Sequence, residues 1–270
     1  MPPEPGITGP SQATQAASPR RPWGGWATSG WVLLIIGLGF LVGALVYAAT
    51  GRVVALINLA RYGEEAPVTI IANWMMEDLI NLHFPALIAS QLCFLVPALI
   101  LCHRRMSVRN YLALTAVPRA PLLAWAGAAL LLTLVLPSLL DPVFGWEYFT
   151  MMETYILRAG GAEWLLLLLT IGLLAPLAEE VLFRGFMMRG LLASRCGSIG
   201  AVLLPALLWG VLHYDPDGTL GYPAGPLLAY VGSFGILLGL ARIHTGSLYA
   251  PLAMHACCNL AALAQAYLLR

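Results

Sequence analysis

The sequence predicts an all-α protein, a polytopic transmembrane bundle of about seven helices within a range of six to eight. Two compositional facts carry that expectation. Hydrophobic residues make up 60% of the chain and charged residues only 10%, where soluble domains carry about a quarter charged. Mean hydropathy is +0.81. The third observation is length: the apolar residues fall in runs close to the roughly 20 residues that a helix needs to cross the hydrocarbon core. A formal net charge of +1 produces no strong basic or acidic field, so nucleic acid is not an expected partner.

Residues 1–28 read as a disordered N-terminal tail, because Met1–Arg21 is rich in Pro, Ser, Gly, Thr and Gln and holds too few large apolar groups to bury. It does not read as a signal peptide. The first apolar run starts near Trp31, too late and too long for one, and Arg20 and Arg21 ahead of it favour a cytoplasmic N-terminus. Candidate spans follow at 30–50, 84–102, 121–140, 163–183, 198–213, 225–242 and 247–268. The fifth and sixth are short and cross only if neighbouring helices shield them. Between the first two, Arg52–Leu82 is too polar to cross. Its stretch Val68–Met76 reads as an amphipathic interfacial segment or a short extracytoplasmic cap.

Every one of the 14 basic residues is an arginine, and their placement tests the topology. Alternate connections are basic: Arg20/Arg21, Arg104/Arg105/Arg109/Arg119, Arg184/Arg189/Arg195 and Arg242. The opposite ones are acidic or sparse in arginine, with Glu64/Glu65/Glu77/Asp78, Asp141/Glu147/Glu153 and Asp215/Asp217. Seven spans with the N-terminus inside satisfy the positive-inside rule throughout. No internal repeat is visible, so 29–160 and 161–270 are read as the two parts of one membrane domain. The inverted-repeat plan of many transporters is not supported.

An ionisable side chain at membrane depth costs roughly 2.5–3.5 kcal/mol on insertion scales and usually marks a functional site. Glu179 and Glu180 stand side by side at the end of a leucine-rich run. Neighbours on a helix point about 100° apart, so the two carboxylates take different roles. Glu180 and Arg184 are spaced i, i+4 with the acid first, the favoured order for an ion pair. That leaves Glu179 without a local partner. His213 ends the fifth candidate span one turn after Trp209, and the last span brings His255 and Asn259 on one face.

Each of these groups has an ordinary reading: a histidine at a helix end, or a polar pair that holds membrane helices together. Convergence argues otherwise, since three helices nearly free of other strong polar groups each supply a residue that can accept, donate or bind a metal. Pro176 and Pro251 precede Glu179 and His255, and a proline bend opens room for water beside each. The five cysteines, an odd number, read as small buried residues rather than a disulfide framework. Cys257 and Cys258 lie between His255 and Asn259, so a thiol nucleophile is considered, although such a pair inside a helix reads as packing.

The pattern Glu-Glu-x-x-x-Arg at 179–184, aromatic-x-x-x-His at 209–213 and His-x-x-x-Asn at 255–259 resembles the CAAX protease and bacteriocin-processing (CPBP) family. That family is also called the Abi or type II CAAX prenyl endopeptidase family. The resemblance covers roughly Leu165–Leu268, with Trp209 where phenylalanine is common. It implies a CAAX-type intramembrane protease that cleaves membrane-associated or C-terminally lipidated protein or peptide substrates within the bilayer. Glu179 and His213 would activate water, His255 and Asn259 would stabilise the oxyanion, and Glu180 and Arg184 would support the site. No cofactor is expected in this version. A zinc version remains open, with Glu179, His213 and His255 as a carboxylate and two imidazoles around one open position, although no His-Glu-x-x-His motif is present. Two other classes compete: a catalytically silent scaffold or immunity-type protein that binds other membrane proteins, and a proton-coupled transporter. The intact set of polar residues argues against the former.

Overall fold

The computed structural model describes residues 21–63, 68–144, 159, 161–214 and 224–268. Among them the architecture is all helical. Helix α1 (Gly25–Tyr62) pairs with α2 (Val68–Arg105), and a short turn of helix, α3 (Val108–Tyr111), leads to α4 (Arg119–Phe144). The segments Gly161–Leu167, Leu168–Leu174, Ala175–Glu180, Val181–Met187 and Met188–Leu192 follow without a break and form one rod, α5. Three helices complete the bundle: α6 (Gly197–Leu212), α7 (Ala224–Thr245) and α8 (Tyr249–Leu268). Five stretches are long and apolar enough to cross a membrane: Gly25–Arg61, His83–Arg105, Arg119–Leu136, Glu163–Leu192 and Leu228–Thr245. α6 is apolar but shorter. The chain is an integral, multi-pass membrane protein.

Burial follows solvent logic inverted for lipid. Leu33, Phe40, Leu131 and Leu207 face outward, while α5 runs through the centre with every residue from Ala178 to Met188 buried. Polar groups on α5 therefore have protein, not lipid, around them. Small residues allow the close approach this needs: a Cβ at Gly235 of α7 would lie 3.1 Å from both Ala206 of α6 and the guanidinium of Arg184.

Helix boundaries differ from expectation at both ends of α1, the start of α2 and the end of α5. α1 continues to Tyr62 and α2 begins at Val68, so Val68–Met76 is helical and continuous with the apolar span that starts at His83. Arg52 and Arg61 lower the hydropathy there without breaking the helix, since arginine is a good helix former. α5 also runs on to Leu192, past the expected end at 183. At 1.5 Å per residue Glu179 therefore lies about 20 Å from the end of its helix. α1 starts at Gly25, inside the stretch assigned to the tail; residues 1–20 are outside the described residues.

One end of the bundle gathers arginines. Trp23 just ahead of α1 donates its indole N–H to the Leu101 carbonyl at 3.1 Å, and the Arg105 guanidinium stacks 3.7 Å over the Trp23 ring. The α3 connection docks on the α7–α8 turn through Leu248 N–H to the Ala113 carbonyl at 3.2 Å and the Ser247 hydroxyl to the Thr115 carbonyl at 2.5 Å. Tyr111 stacks on Phe186 with ring centres 5.8 Å apart. Burial pushes its phenol up to about 12, so it stays neutral beside Arg189 and Arg105. The acidic pairs Glu64/Glu65, Glu147/Glu153 and Asp215/Asp217 fall outside the described residues.

Candidate active site

The site is built on α5, where six residues of α-helix, Ala175–Glu180, lie between two π-helical stretches. In those stretches the N–H of Ala175 bonds to the Thr170 carbonyl and that of Met188 to the Phe183 carbonyl, both i to i−5. π-bulges are rare and recur at functional sites. In the same register the donor for the Ile171 carbonyl would be residue 176, a proline with no N–H. Asn259 of α8 takes that place, its Nδ2 donating to the Ile171 carbonyl at 2.8 Å. The proline's vacated bond is thus satisfied by a side chain rather than by a solvent pocket. Asn259 retains a second N–H.

Glu179 and Glu180 point to different neighbours. Glu180 is fully buried, and its Oε1 accepts from Arg184 Nη1 at 3.0 Å and from His255 Nδ1 at 2.9 Å. Arg184 donates its other terminal nitrogen to the Gly235 carbonyl at 3.1 Å and lies 5.0 Å from the Trp209 ring centre. α5, α7 and α8 are joined by this single cluster. Because a carboxylate only accepts, His255 carries its proton on Nδ1, which fixes the tautomer and leaves Nε2 as the outward nitrogen.

Glu179 turns toward α2 and α6. Its Oε2 accepts from the Trp209 indole N–H at 2.6 Å and its Oε1 from the Gln91 amide at 3.3 Å. Both donors are neutral. Among the described residues no ion pair involves Glu179, in contrast to Glu180. His213 caps the end of α6, with Nδ1 2.8 Å from the Trp209 carbonyl. A carbonyl only accepts, so Nδ1 donates and Nε2 is the nitrogen able to take a proton. Trp209 binds the group together: its ring centre is 4.8 Å from that of His213 and 5.3 Å from that of His255, both edge to face.

α5 is long and α6 is only 16 residues, so the last turn of α6 reaches the depth of Glu179 through Trp209. The carboxylate and the end of α6 meet inside the bundle. Pro251 occupies the first turn of α8, where its missing N–H is unbonded anyway, so it starts the helix and does not bend it beside His255. Cys258 is buried and Cys257 exposed.

For zinc, His213 and His255 would have only Nε2 to offer, since their Nδ1 atoms are bonded to the Trp209 carbonyl and to Glu180, and both Glu179 oxygens already take N–H donors. No group of three His, Cys, Asp or Glu side chains suited to a metal ion occurs among the described residues.

Sequence reasoning missed Gln91, the Gly235 carbonyl and the indole N–H of Trp209 as members of the site. Gln91 had one signal, a lone amide within the apolar run 84–102. Gly235 had none, since a backbone acceptor leaves no mark in a sequence.

Comparison with known proteins places this constellation. Residues 161–261 match the model of the Rce1-like type II CAAX prenyl endopeptidases. An uncharacterised 24.3 kDa protein of Escherichia coli is 37% identical over 93 residues, covering 34% of this chain and 40% of that protein. This chain therefore aligns with less than half the length of that relative. No solved structure matches. The matched segment contains Glu179, Glu180, Arg184, Trp209, His213, His255 and Asn259 in the motif order described above, which assigns residues 161–261 to the CPBP family.

Proposed function

We propose that the chain is an intramembrane endopeptidase for membrane-associated or C-terminally lipidated peptides, with Glu179 and His213 activating water. One observation carries this reading. Glu179 is a 9% exposed carboxylate whose hydrogen bonds among the described residues all come from neutral donors, and it is set against the helix capped by His213. A carboxylate held for structure alone would be expected to have a cation, as Glu180 has. The cleavage step balances simply: water oxygen bonds to the peptide carbonyl carbon, its proton passes to Glu179 or His213 Nε2, and the carbonyl π pair moves to oxygen. His255, when protonated, offers Nε2–H to that oxyanion, and the second Asn259 N–H adds a neutral donor. Such preorganised donors contribute about 3–4 kcal/mol each to lowering the barrier. Collapse then returns the proton to the leaving amine.

An apolar groove of about 400 Å³ between α4 and α7, lined by Leu131, Val135, Leu139, Ile236 and Leu240, supports a lipid-bearing substrate. Its lining includes Ser233, next in the chain to Phe234, whose ring centre is 5.7 Å from that of His255, and two residues before Gly235, whose carbonyl binds Arg184. The arginine-rich end that holds the start of α1 supports a cytoplasmic N-terminus.

The test uses purified protein in liposomes with a quenched-fluorescent peptide carrying a prenylated cysteine near its C-terminus, and the same peptide unprenylated. Turnover in the wild type and its loss by at least ~10² in Glu179→Gln, at unchanged thermal stability, is expected. Equal turnover in the two proteins would remove Glu179 from the chemistry. No cleavage of either peptide by the wild type would favour the silent-scaffold reading.

A further inference from the structure

Gln91 reaches the site from α2, outside the 161–261 segment. It is 5% exposed, in a stretch otherwise composed almost entirely of apolar residues. An amide buried there is unfavourable unless its polar atoms are bonded. Its Nε2 donates to Glu179 Oε1 at 3.3 Å, and its Oε1 is buried with no partner among the described residues. The amide orientation is fixed by chemistry, since Oε1 facing a carboxylate would set two acceptors together. An amide that served only to join helices could bond backbone carbonyls instead. Here the one bond falls on the carboxylate that makes no ion pair among the described residues, and an unpartnered acceptor stands beside it.

The geometry points to Gln91 as a positioning residue of the hydrolytic site, holding the plane of Glu179 through Nε2 and offering Oε1 to the attacking water. This rests on the endopeptidase reading. Water has two O–H bonds. One proton leaves to Glu179 as the oxygen bonds to the carbonyl carbon; the other stays on the oxygen and needs an acceptor, so that the lone pair faces the carbonyl. Gln91 supplies that acceptor and neither gains nor loses a proton. With Trp209 on Oε2 and Gln91 on Oε1, Glu179 is fixed from two helices, and each carboxylate oxygen keeps lone-pair capacity for the water.

The test compares Gln91→Met, which keeps length without polar atoms, and Gln91→His, which keeps one donor and one acceptor. Both are assayed as full chains in liposomes with the prenylated quenched peptide. Misplacing a reacting group by ~1 Å costs roughly 10²-fold, so Gln91→Met should lose about that factor in kcat with KM nearly unchanged. Gln91→His should recover at least roughly a tenth of wild-type kcat. Wild-type kcat in Gln91→Met, or a fall matched by an equal loss of thermal stability and no recovery in Gln91→His, overturns the proposal. A readout independent of turnover is the ultraviolet resonance Raman signal of the Trp209 indole N–H, isolated by subtracting Trp209→Phe. It should shift in Gln91→Met, because Glu179 is released. An unshifted signal overturns the coupling even if no peptide is cleaved, whereas full turnover in Glu179→Gln overturns the endopeptidase reading and not the Gln91–Glu179 contact.

Discussion

Replacing Arg184 with methionine should destabilise the bundle more than any surface change can. Arg184 is 1% exposed and makes two charge-assisted bonds, to Glu180 at 3.0 Å and to the Gly235 carbonyl at 3.1 Å. Each such bond contributes about 1.5–3 kcal/mol. Removing the cation also leaves Glu180 as a buried carboxylate on His255 alone, a situation that costs about 3–5 kcal/mol. At ~2–4 °C per kcal/mol for a chain of this size, the apparent Tm should fall by roughly 10 °C. A thiol-reactive dye reads this above the constant signal of the more accessible Cys93, Cys196 and Cys257, because Cys102 is 0% and Cys258 4% exposed and both react only as the bundle opens. Glu180→Leu alone should cost a similar amount, since it strands the guanidinium. The double variant Glu180→Leu/Arg184→Met should cost less than the two singles added, by up to ~3 kcal/mol. Additive losses, or an Arg184→Met protein within ~1 kcal/mol of wild type, would refute the view that this cluster ties α5 to α7 and α8.

The remaining predictions concern the helix repair, the lipid groove and the metal. Asn259→Ala should cost about 1–3 kcal/mol by stranding the Ile171 carbonyl; in a Pro176→Ala background, where residue 176 regains an N–H, the same change should cost measurably less by thermal denaturation. Ile236→Trp narrows the groove between α4 and α7 and should raise KM for the prenylated peptide several-fold, on the order of ~1–2 kcal/mol of lost lipid burial, while leaving the unprenylated control unchanged. Turnover should survive exhaustive chelation, measured with elemental analysis of the same sample; loss of activity that zinc restores would mean that Glu179, His213 and His255 rearrange around a metal.

Much of the fold was legible because lipid imposes a simple rule on sequence. A helix that must satisfy its own backbone in hydrocarbon shows as an apolar run, and each of the seven expected runs falls on a helix, overrunning its end by at most two residues. Helix ends were less legible. Hydropathy reports where lipid contact stops, whereas a helix stops where its backbone bonds stop, so α1 outlasts its apolar run as far as Tyr62 and α5 reaches Leu192. The two π-helical stretches left no signal, since the i to i−5 bonds of Ala175 and Met188 depend on packing around the whole of α5.

At the site, the pairing of Glu180 with Arg184 could be read from spacing alone. Four residues separate Glu180 from Arg184, so helix geometry brings that pair together whatever surrounds it, and the 3.0 Å contact follows. Glu179 has no such local partner, and its environment is set by elements far away in sequence: Gln91 of α2 and Trp209 of α6. Nonlocal neutral donors carry no spacing rule, which is why the indole N–H and the amide could be found only in three dimensions. The same contrast suits the two tasks. A structural charge is made reliable by a partner on its own helix, which is present as soon as that helix forms. A reactive carboxylate is better served by neutral donors brought in by tertiary packing: they orient it without neutralising it, and they reach it only when the whole bundle has closed.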